Sequence, residues 1–170
     1  KKVLPAVGLV KKIDFFINQI PFDLKVTYFP EGFISEKRKT ADLRPEATEL
    51  KKIARAHKIH FDADSNGSDL LEDLWKKVGD HPSDEARNCV RSLVEFRTNL
   101  IEETVKDPLD LIKWLYENQG TRRFDSSNRL FLILVDRSNH FDSWKLKRAK
   151  PLLSKTINGY LDSLTAKETG

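Results

Sequence analysis

Two aspartates and a lysine interrupt an otherwise apolar stretch near the start of the chain, KKIDFFINQIPFDLKVTYFP at 11–30. Asp14 and Asp23 stand among Ile, Phe, Leu and Val residues, and Lys25 follows two positions after the second aspartate. Charges inside such apolar runs usually have a functional reason. Carboxylates bind hard divalent cations, and a nearby ammonium group can stabilise charge on a phosphate. The three residues therefore indicate a metal site suited to phosphodiester chemistry.

The elements that would position these residues form a β-hairpin. Residues 12–17 and 20–29 are rich in Ile, Phe, Val and Tyr, and the Asn18-Gln19 pair between them suits a tight turn. In a hairpin with a two-residue loop, residues at equal distances from the turn stand opposite each other. The spacing therefore predicts that Asp14 faces Asp23, with Cβ atoms about 4.5–5.5 Å apart.

Lys25 shares a face with Asp23, because side chains alternate along a strand. Two carboxylates at the expected distance repel each other, so we expect removal of either one to raise stability in the absence of metal. A bound Mg²⁺ ion would resolve the conflict, since carboxylate oxygens bind it at about 2.0–2.1 Å. The predicted metal cup consists of Asp14, Asp23 and the backbone carbonyl of Leu24, with Lys25 beside it.

This arrangement resembles the PD-(D/E)XK nuclease superfamily, which has the restriction-endonuclease-like fold. The "ID" at 13–14 matches the acidic residue on one strand, and the "DLK" at 23–25 matches the acid-any-lysine triplet on the next strand. The resemblance implies an α/β fold with a mixed sheet flanked by helices. It also implies DNA cleavage that depends on Mg²⁺, or on Mn²⁺ as a substitute. Asp14 and Asp23 would be metal ligands, and Lys25 would be the catalytic lysine.

The sequence departs from the superfamily pattern at two points. Ile13 stands where the motif has proline. Many members also carry another acidic residue on a helix before the hairpin, and residues 1–13 contain none. The match to the superfamily pattern covers about 15 residues of the hairpin.

The rest of the chain predicts one nuclease domain over 1–170, with a frayed tail at 165–170. We expect a basic loop at 30–40 and a helical insertion at about 41–118, which is a candidate for target recognition or a homodimer contact. A wholly apolar run, RLFLILVD, indicates a buried central strand at 129–136. A last helix from 143 to about 164 is expected to kink or split at Pro151.

Basic residues fall into three runs that could contact DNA phosphates, and the net charge of +4 agrees with a polyanionic partner. Double-stranded DNA is the partner that we expect. The alternative is that these are ordinary solvated charges and that Trp144 lies in the core. The candidate residues are Lys37, Arg38, Lys39, Arg122, Arg123, Lys145, Lys147 and Arg148.

The composition argues against a disulfide-rich protein and against a membrane-spanning protein. The single cysteine, Cys89, cannot form an internal disulfide framework. No apolar run approaches the roughly 20 residues of a membrane span, so we expect a cytoplasmic protein without a membrane partner. Two alternatives to the nuclease remain. One is a non-catalytic nucleic-acid-binding module on the same fold, and the other is an interaction protein that uses the helix at 83–105.

Overall fold

The computed structural model describes residues 3–7, 13–62, 64–65, 67–118 and 128–164. The protein has a mixed α/β architecture with a four-stranded sheet. It divides into two compact units: Lys1–Phe29 with Thr121–Gly170, and Pro30–Gly120. The first unit contains the sheet, and the second is helical. None of the helices in the described ranges combines the length and apolar character needed to cross a membrane.

The sheet contains β1 (Val3–Pro5), β2 (Phe15–Ile17), β3 (Ile20–Tyr28) and β4 (Asn128–Leu134), in that spatial order. The first three strands are antiparallel neighbours, whereas β4 runs parallel to β3. The expected hairpin is therefore confirmed, and β1 is a strand that no pattern in the sequence indicated. A further strand beside the hairpin makes the sheet mixed.

The hairpin turn has the predicted two-residue form. Asn18 and Gln19 both have positive φ angles, of 49° and 76°, as a type I′ turn requires. This turn suits the right-handed twist of the flanking strands. It sets the predicted register, in which the paired residues are Ile17 with Ile20, Phe16 with Pro21, and Phe15 with Phe22.

The β4 strand differs from its predicted place in the sheet. It forms where the apolar run predicted it, but it is the last strand in the order rather than a central one. Leu134 is buried, and the other residues of the strand are half-buried or exposed. An apolar run indicates burial in general, but it does not determine how many strands pair with it.

The parallel pairing of β3 with β4 needs a long crossover connection, which the helical unit supplies. Its helices are α1 (Glu31–Thr40), α2 (Glu46–Ala56), α3 (Gly67–Gly79), α4 (Asp84–Lys106) and α5 (Leu109–Asn118). The predicted helical insertion is present, but it begins at Glu31 instead of about residue 41.

The basic loop predicted at 30–40 is wrong, because this segment is helix α1. Phe33, Ile34 and Arg38 lie on its buried side at helical spacing. The many charges in the segment suggested a loop. The burial of one face stabilises a helix there in spite of the charged composition. The helix predicted around 83–105 is confirmed as α4, and its apolar face packs within the unit through Leu93, Leu100 and Ile101.

A buried arginine ties the helices of this unit together. Arg97 on α4 is 2% exposed. Its Nη1 donates to Glu31 Oε1 on α1 at 2.9 Å, and its Nε donates to Glu46 Oε1 on α2 at 3.0 Å. Its guanidinium carbon lies 5.0 Å from the ring centroid of Trp75 on α3. One side chain therefore contacts three other helices.

The C-terminal part of the sheet unit begins with a 3₁₀ segment, His140–Arg148, which α6 (Lys150–Ser163) follows. The expected split at Pro151 is confirmed, since this proline lies in the first turn of α6. Proline suits this position because its missing N–H would have no partner within the helix there. The part before the split is a 3₁₀ helix and not the α-helix that the sequence predicted.

We predict that Arg97→Met lowers the free energy of unfolding by about 3–5 kcal/mol, because it leaves the buried Glu46 carboxylate without its cation. Urea denaturation followed by circular dichroism measures the change. The matched control is Arg87→Met on the same helix, which removes an exposed pair with Asp84 and should cost less than about 1 kcal/mol. Equal effects of the two substitutions would contradict the role given to Arg97.

Candidate metal and phosphate site

Asp14 lies at an irregular point of the sheet, immediately before β2. Its N–H donates to the Phe22 carbonyl at 2.9 Å, and its own carbonyl accepts from the Ala6 N–H at 3.0 Å. In a regular antiparallel strand, both groups of one residue point to the same neighbouring strand. Phe22 is also the register partner of Phe15, so two residues oppose one, as in a β-bulge.

The bulge places the Asp14 carboxylate beside the backbone of Leu24. Asp14 Oδ2 accepts a hydrogen bond from the Leu24 N–H at 2.7 Å. The predicted direct opposition of Asp14 and Asp23 is therefore not found, since the described register ends at Phe15 with Phe22. The physical reason is that the Leu24 N–H bonds to the Asp14 carboxylate instead of to a backbone carbonyl of the neighbouring strand, which shifts Asp14 out of register with Asp23.

Asp23 lies in the middle of β3 between two cations. Lys25 Nζ is 2.8 Å from Asp23 Oδ1, and Arg129 Nε is 3.9 Å from Asp23 Oδ2. The shared face of Asp23 and Lys25 agrees with the predicted alternation. Arg129 joins them because the parallel register pairs it with Asp23 across β3 and β4. The side chains of Asp23 and Arg129 are 16% and 11% exposed, whereas Lys25 is 44% exposed.

The electrostatic balance at Asp23 is the reverse of the one that we expected. Its carboxylate lies next to positive charges, so its removal should destabilise the metal-free protein instead of relieving a repulsion. The gain in stability that we expected from removing an aspartate assumed that Asp14 and Asp23 repel each other and that no cation compensates them. The pairing with β4 supplies a cation that hairpin geometry alone could not reveal.

The residues around Leu24 carry oxygen donors of the type that Mg²⁺ prefers. The N–H and C=O of a paired strand residue point to the same edge, so the Leu24 carbonyl points toward the side where Asp14 lies. A carboxylate has about four lone-pair sites, and one hydrogen bond leaves Asp14 with capacity for a cation. Among the residues that the structure describes, no group of three or more acidic, His or Cys side chains is arranged to hold a metal. Mg²⁺ sites commonly use one or two carboxylates with waters and substrate oxygens.

The basic run at 35–39 is largely engaged within the helical unit. Arg38 is 3% exposed and pairs with Glu49 at 2.9 Å, so it is not available for phosphate contacts. Lys37 lies 2.8 Å from Asp110 and lowers the pKa of that carboxyl. Lys39 is exposed. Of this run, the exposed Lys39 is the residue best placed for a polyanion.

The other two basic runs have different outcomes. Arg122 and Arg123 lie outside the described residues. Lys145, Lys147 and Arg148 are exposed on the 3₁₀ segment. Trp144 is 48% exposed, so the alternative that buried it in the core is wrong.

Sequence reasoning did not assign two features of the sheet unit. Arg129 was predicted as the first residue of the apolar strand, and its place beside Asp23 depends on a pairing between distant parts of the chain. The second feature is Asp136, whose carboxylate accepts hydrogen bonds from the Ser138 hydroxyl at 2.6 Å and from the backbone N–H groups of Ser138 and Asn139. These bonds lower the pKa of Asp136. An Asp followed by Ser and Asn is a turn signal that the sequence did contain.

Comparison of the chain with protein-family models, with curated proteins and with solved structures finds no match. The resemblance to the PD-(D/E)XK superfamily therefore rests on the hairpin residues and their arrangement.

We predict that Asp23→Asn lowers the free energy of unfolding in metal-free buffer by about 1 kcal/mol, because Lys25 and Arg129 lose a charged partner. Asp14→Asn is the matched control, since its amide oxygen can still accept from the Leu24 N–H, and its effect should be smaller. Thermal unfolding in EDTA measures both. Adding Lys25→Met to Asp23→Asn should cost less than Lys25→Met alone, since the pair is already broken. A gain in stability from Asp23→Asn would show that carboxylate repulsion dominates the site.

Proposed function

We propose that the protein is a Mg²⁺-dependent endonuclease that hydrolyses DNA phosphodiester bonds, on a fold of the restriction-endonuclease-like class. The observation that carries the proposal is that the Asp14 carboxylate bonds to the Leu24 N–H, while Asp23 and Lys25, on either side of Leu24 in β3, form an ion pair. The additional strand beside this hairpin, followed by helical segments, agrees with the arrangement that the superfamily resemblance implies.

Asp14, Asp23 and the Leu24 carbonyl would hold the metal ion. When bound, Mg²⁺, or Mn²⁺ in its place, supplies Lewis acidity and lowers the pKa of a coordinated water. The protein contributes a rigid backbone at Leu24, because the Asp14 carboxylate is fixed to its N–H at 2.7 Å. The bulge therefore orients the Asp14 carboxylate toward the side of β3 to which the Leu24 carbonyl also points.

Lys25 is the residue best placed to act on the phosphate. Its ammonium is held 2.8 Å from Asp23 and is partly exposed, so it can turn toward a substrate oxygen without a large desolvation change. There it would stabilise charge that develops on the phosphate or hold the attacking water. Arg129 keeps the Asp23 carboxylate in place from the neighbouring strand, and it therefore acts as a positioning residue.

Contacts to the DNA backbone would come from exposed cations of the sheet unit. Lys145, Lys147 and Arg148 lie within four residues of each other on the 3₁₀ segment, and all are exposed. Such residues neutralise phosphates and release counterions, which supplies affinity that does not depend on base sequence.

A second function is a non-catalytic nucleic-acid-binding module. The specific observation in its favour is that Asp23 already has Lys25 and Arg129 as partners without a metal. A carboxylate with such partners can be retained for stability alone. The two functions differ in whether Mg²⁺ is needed and whether a bond is cut.

The first test is cleavage of supercoiled plasmid with Mg²⁺ and with EDTA. We predict that Asp14→Asn, Asp23→Asn and Lys25→Ala each lower the cleavage rate at least about 100-fold, because each removes a group that stabilises the reacting phosphate or the metal. Asp110→Asn is the matched control, since this exposed carboxylate in the helical unit pairs only with Lys37 among the contacts described. Cleavage that persists in EDTA or in the Asp23 variant would contradict the nuclease proposal and favour the binding module.

The second test concerns the cations of the 3₁₀ segment. We predict that replacing Lys145, Lys147 and Arg148 by Ala flattens the log–log dependence of duplex binding on salt by about 2 to 3 units, because each phosphate contact contributes roughly −0.9. Fluorescence anisotropy across a salt series measures the slope, with Ca²⁺ in place of Mg²⁺. The matched control removes three exposed cations of the helical unit, Arg55, Lys58 and Lys76. An unchanged slope in the first variant would place the 3₁₀ segment away from DNA.

A further inference from the structure

The 3₁₀ segment presents a tryptophan to solvent because of its helical geometry. Residues three apart lie on one ridge of a 3₁₀ helix. The ridge that contains Ser143 faces the protein, and Ser143 is 6% exposed. Trp144 is the next residue and lies on a neighbouring ridge, where nearly half of its surface is accessible. A large aromatic ring is therefore held on the outside of an ordered element.

Two cations lie over this ring in cation–π contacts. Lys145 Nζ and Arg148 Cζ each lie 5.8 Å from the centroid of Trp144. Lys145 also pairs with Asp142 at 2.7 Å, which holds its side chain along the segment. Lys147 extends the positive surface, with Nζ 4.7 Å from the ring centroid of Tyr28 at the end of β3. We call Trp144, Lys145 and Arg148 the Trp144 platform.

The platform has a firm attachment to the sheet. The Ser143 hydroxyl donates to the His140 carbonyl at 2.7 Å and accepts from the Asp136 N–H at 2.9 Å. Asp136 lies two residues after β4, so these bonds connect the segment to the end of that strand. A ring on an anchored segment loses little conformational freedom when a ligand stacks on it, which favours binding.

The exposed ring and its cations match one class of ligand, which is an unpaired nucleotide. A nucleobase has a flat π-face that stacks on tryptophan, and its phosphate is an anion. In a duplex, neighbouring bases cover both faces of each base, so such stacking requires unpaired bases. The charge is complementary as well, since three cations and a single carboxylate, that of Asp142, lie on the two exposed ridges.

We propose that the Trp144 platform binds an unpaired nucleotide of the substrate by stacking its base on Trp144 and pairing its phosphate with Lys145 or Arg148. The inference rests on the proposed function in taking nucleic acid as the ligand. It adds that the preferred substrate contains a single-stranded segment, which contacts to phosphates alone would not select.

The test compares two oligonucleotides of equal length and charge, oligothymidylate and an abasic chain that lacks bases. Binding is measured by fluorescence anisotropy in EDTA, so that cleavage and metal play no part. We expect Trp144→Leu to weaken oligothymidylate binding about tenfold and to leave abasic binding unchanged, because alanine substitutions at stacking aromatics have effects of this order. Trp144→Phe is the matched variant and should retain most of the affinity. Replacing Lys145 and Arg148 by Ala should weaken binding of both chains.

Three results would overturn the inference. Equal effects of Trp144→Leu and Trp144→Phe would exclude stacking, and so would an equal loss with the abasic chain. If Trp144→Leu weakened the binding of polyglutamate as much as that of oligothymidylate, the occupant would be an acidic peptide. A separate result would contradict the proposed function alone. If wild-type protein prefers oligothymidylate but does not cut plasmid with Mg²⁺, the nucleotide-binding inference stands and the nuclease proposal is wrong. Trp144 is exposed, so its replacement should leave folding intact, and circular dichroism verifies this.

Discussion

The two-residue turn at Asn18 and Gln19 is the constraint on which the candidate site depends. Both residues adopt positive φ angles, and this conformation joins two twisted strands with only one register. A slip by one residue would move Asp23 and Lys25 to the opposite face of β3. The left-handed conformation costs a non-glycine residue about 1–2 kcal/mol, so the pairing of the two strands must outweigh the strain.

The bulge at Asp14 and the parallel pairing of β4 then give Asp14 and Asp23 the partners that define the candidate site. The bulge turns one carboxylate toward the Leu24 backbone, while β4 brings Arg129 to the other carboxylate. Charges that would repel each other in an isolated hairpin thus acquire separate partners. The same arrangement can serve catalysis or stability, and the dependence of cleavage on Mg²⁺ distinguishes the two.

The helical unit has a different source of order. Its insertion between β3 and β4 provides the crossover that a parallel pair requires. Arg97 holds Glu31 and Glu46 and packs on Trp75, so buried charge is compensated within one small cluster. A buried ion pair contributes less to stability than its geometry suggests, but the loss of either partner is costly. Such a cluster favours one arrangement of the helices over others.

The sequence by itself determined the hairpin, its register near the turn, the shared face of Asp23 and Lys25, and the helical character of most of the inserted segment, because these features follow from local periodicity and turn chemistry. Tertiary structure decided the rest. The partners of Asp23 include Arg129, which is more than 100 residues away along the chain, and no local pattern encodes a parallel register across an inserted unit. Arg38 is buried although it lies in a run of charges, since Glu49 on another helix compensates it. Trp144 is exposed because its neighbour Ser143 is the residue that faces inward and bonds to Asp136, beyond the end of β4.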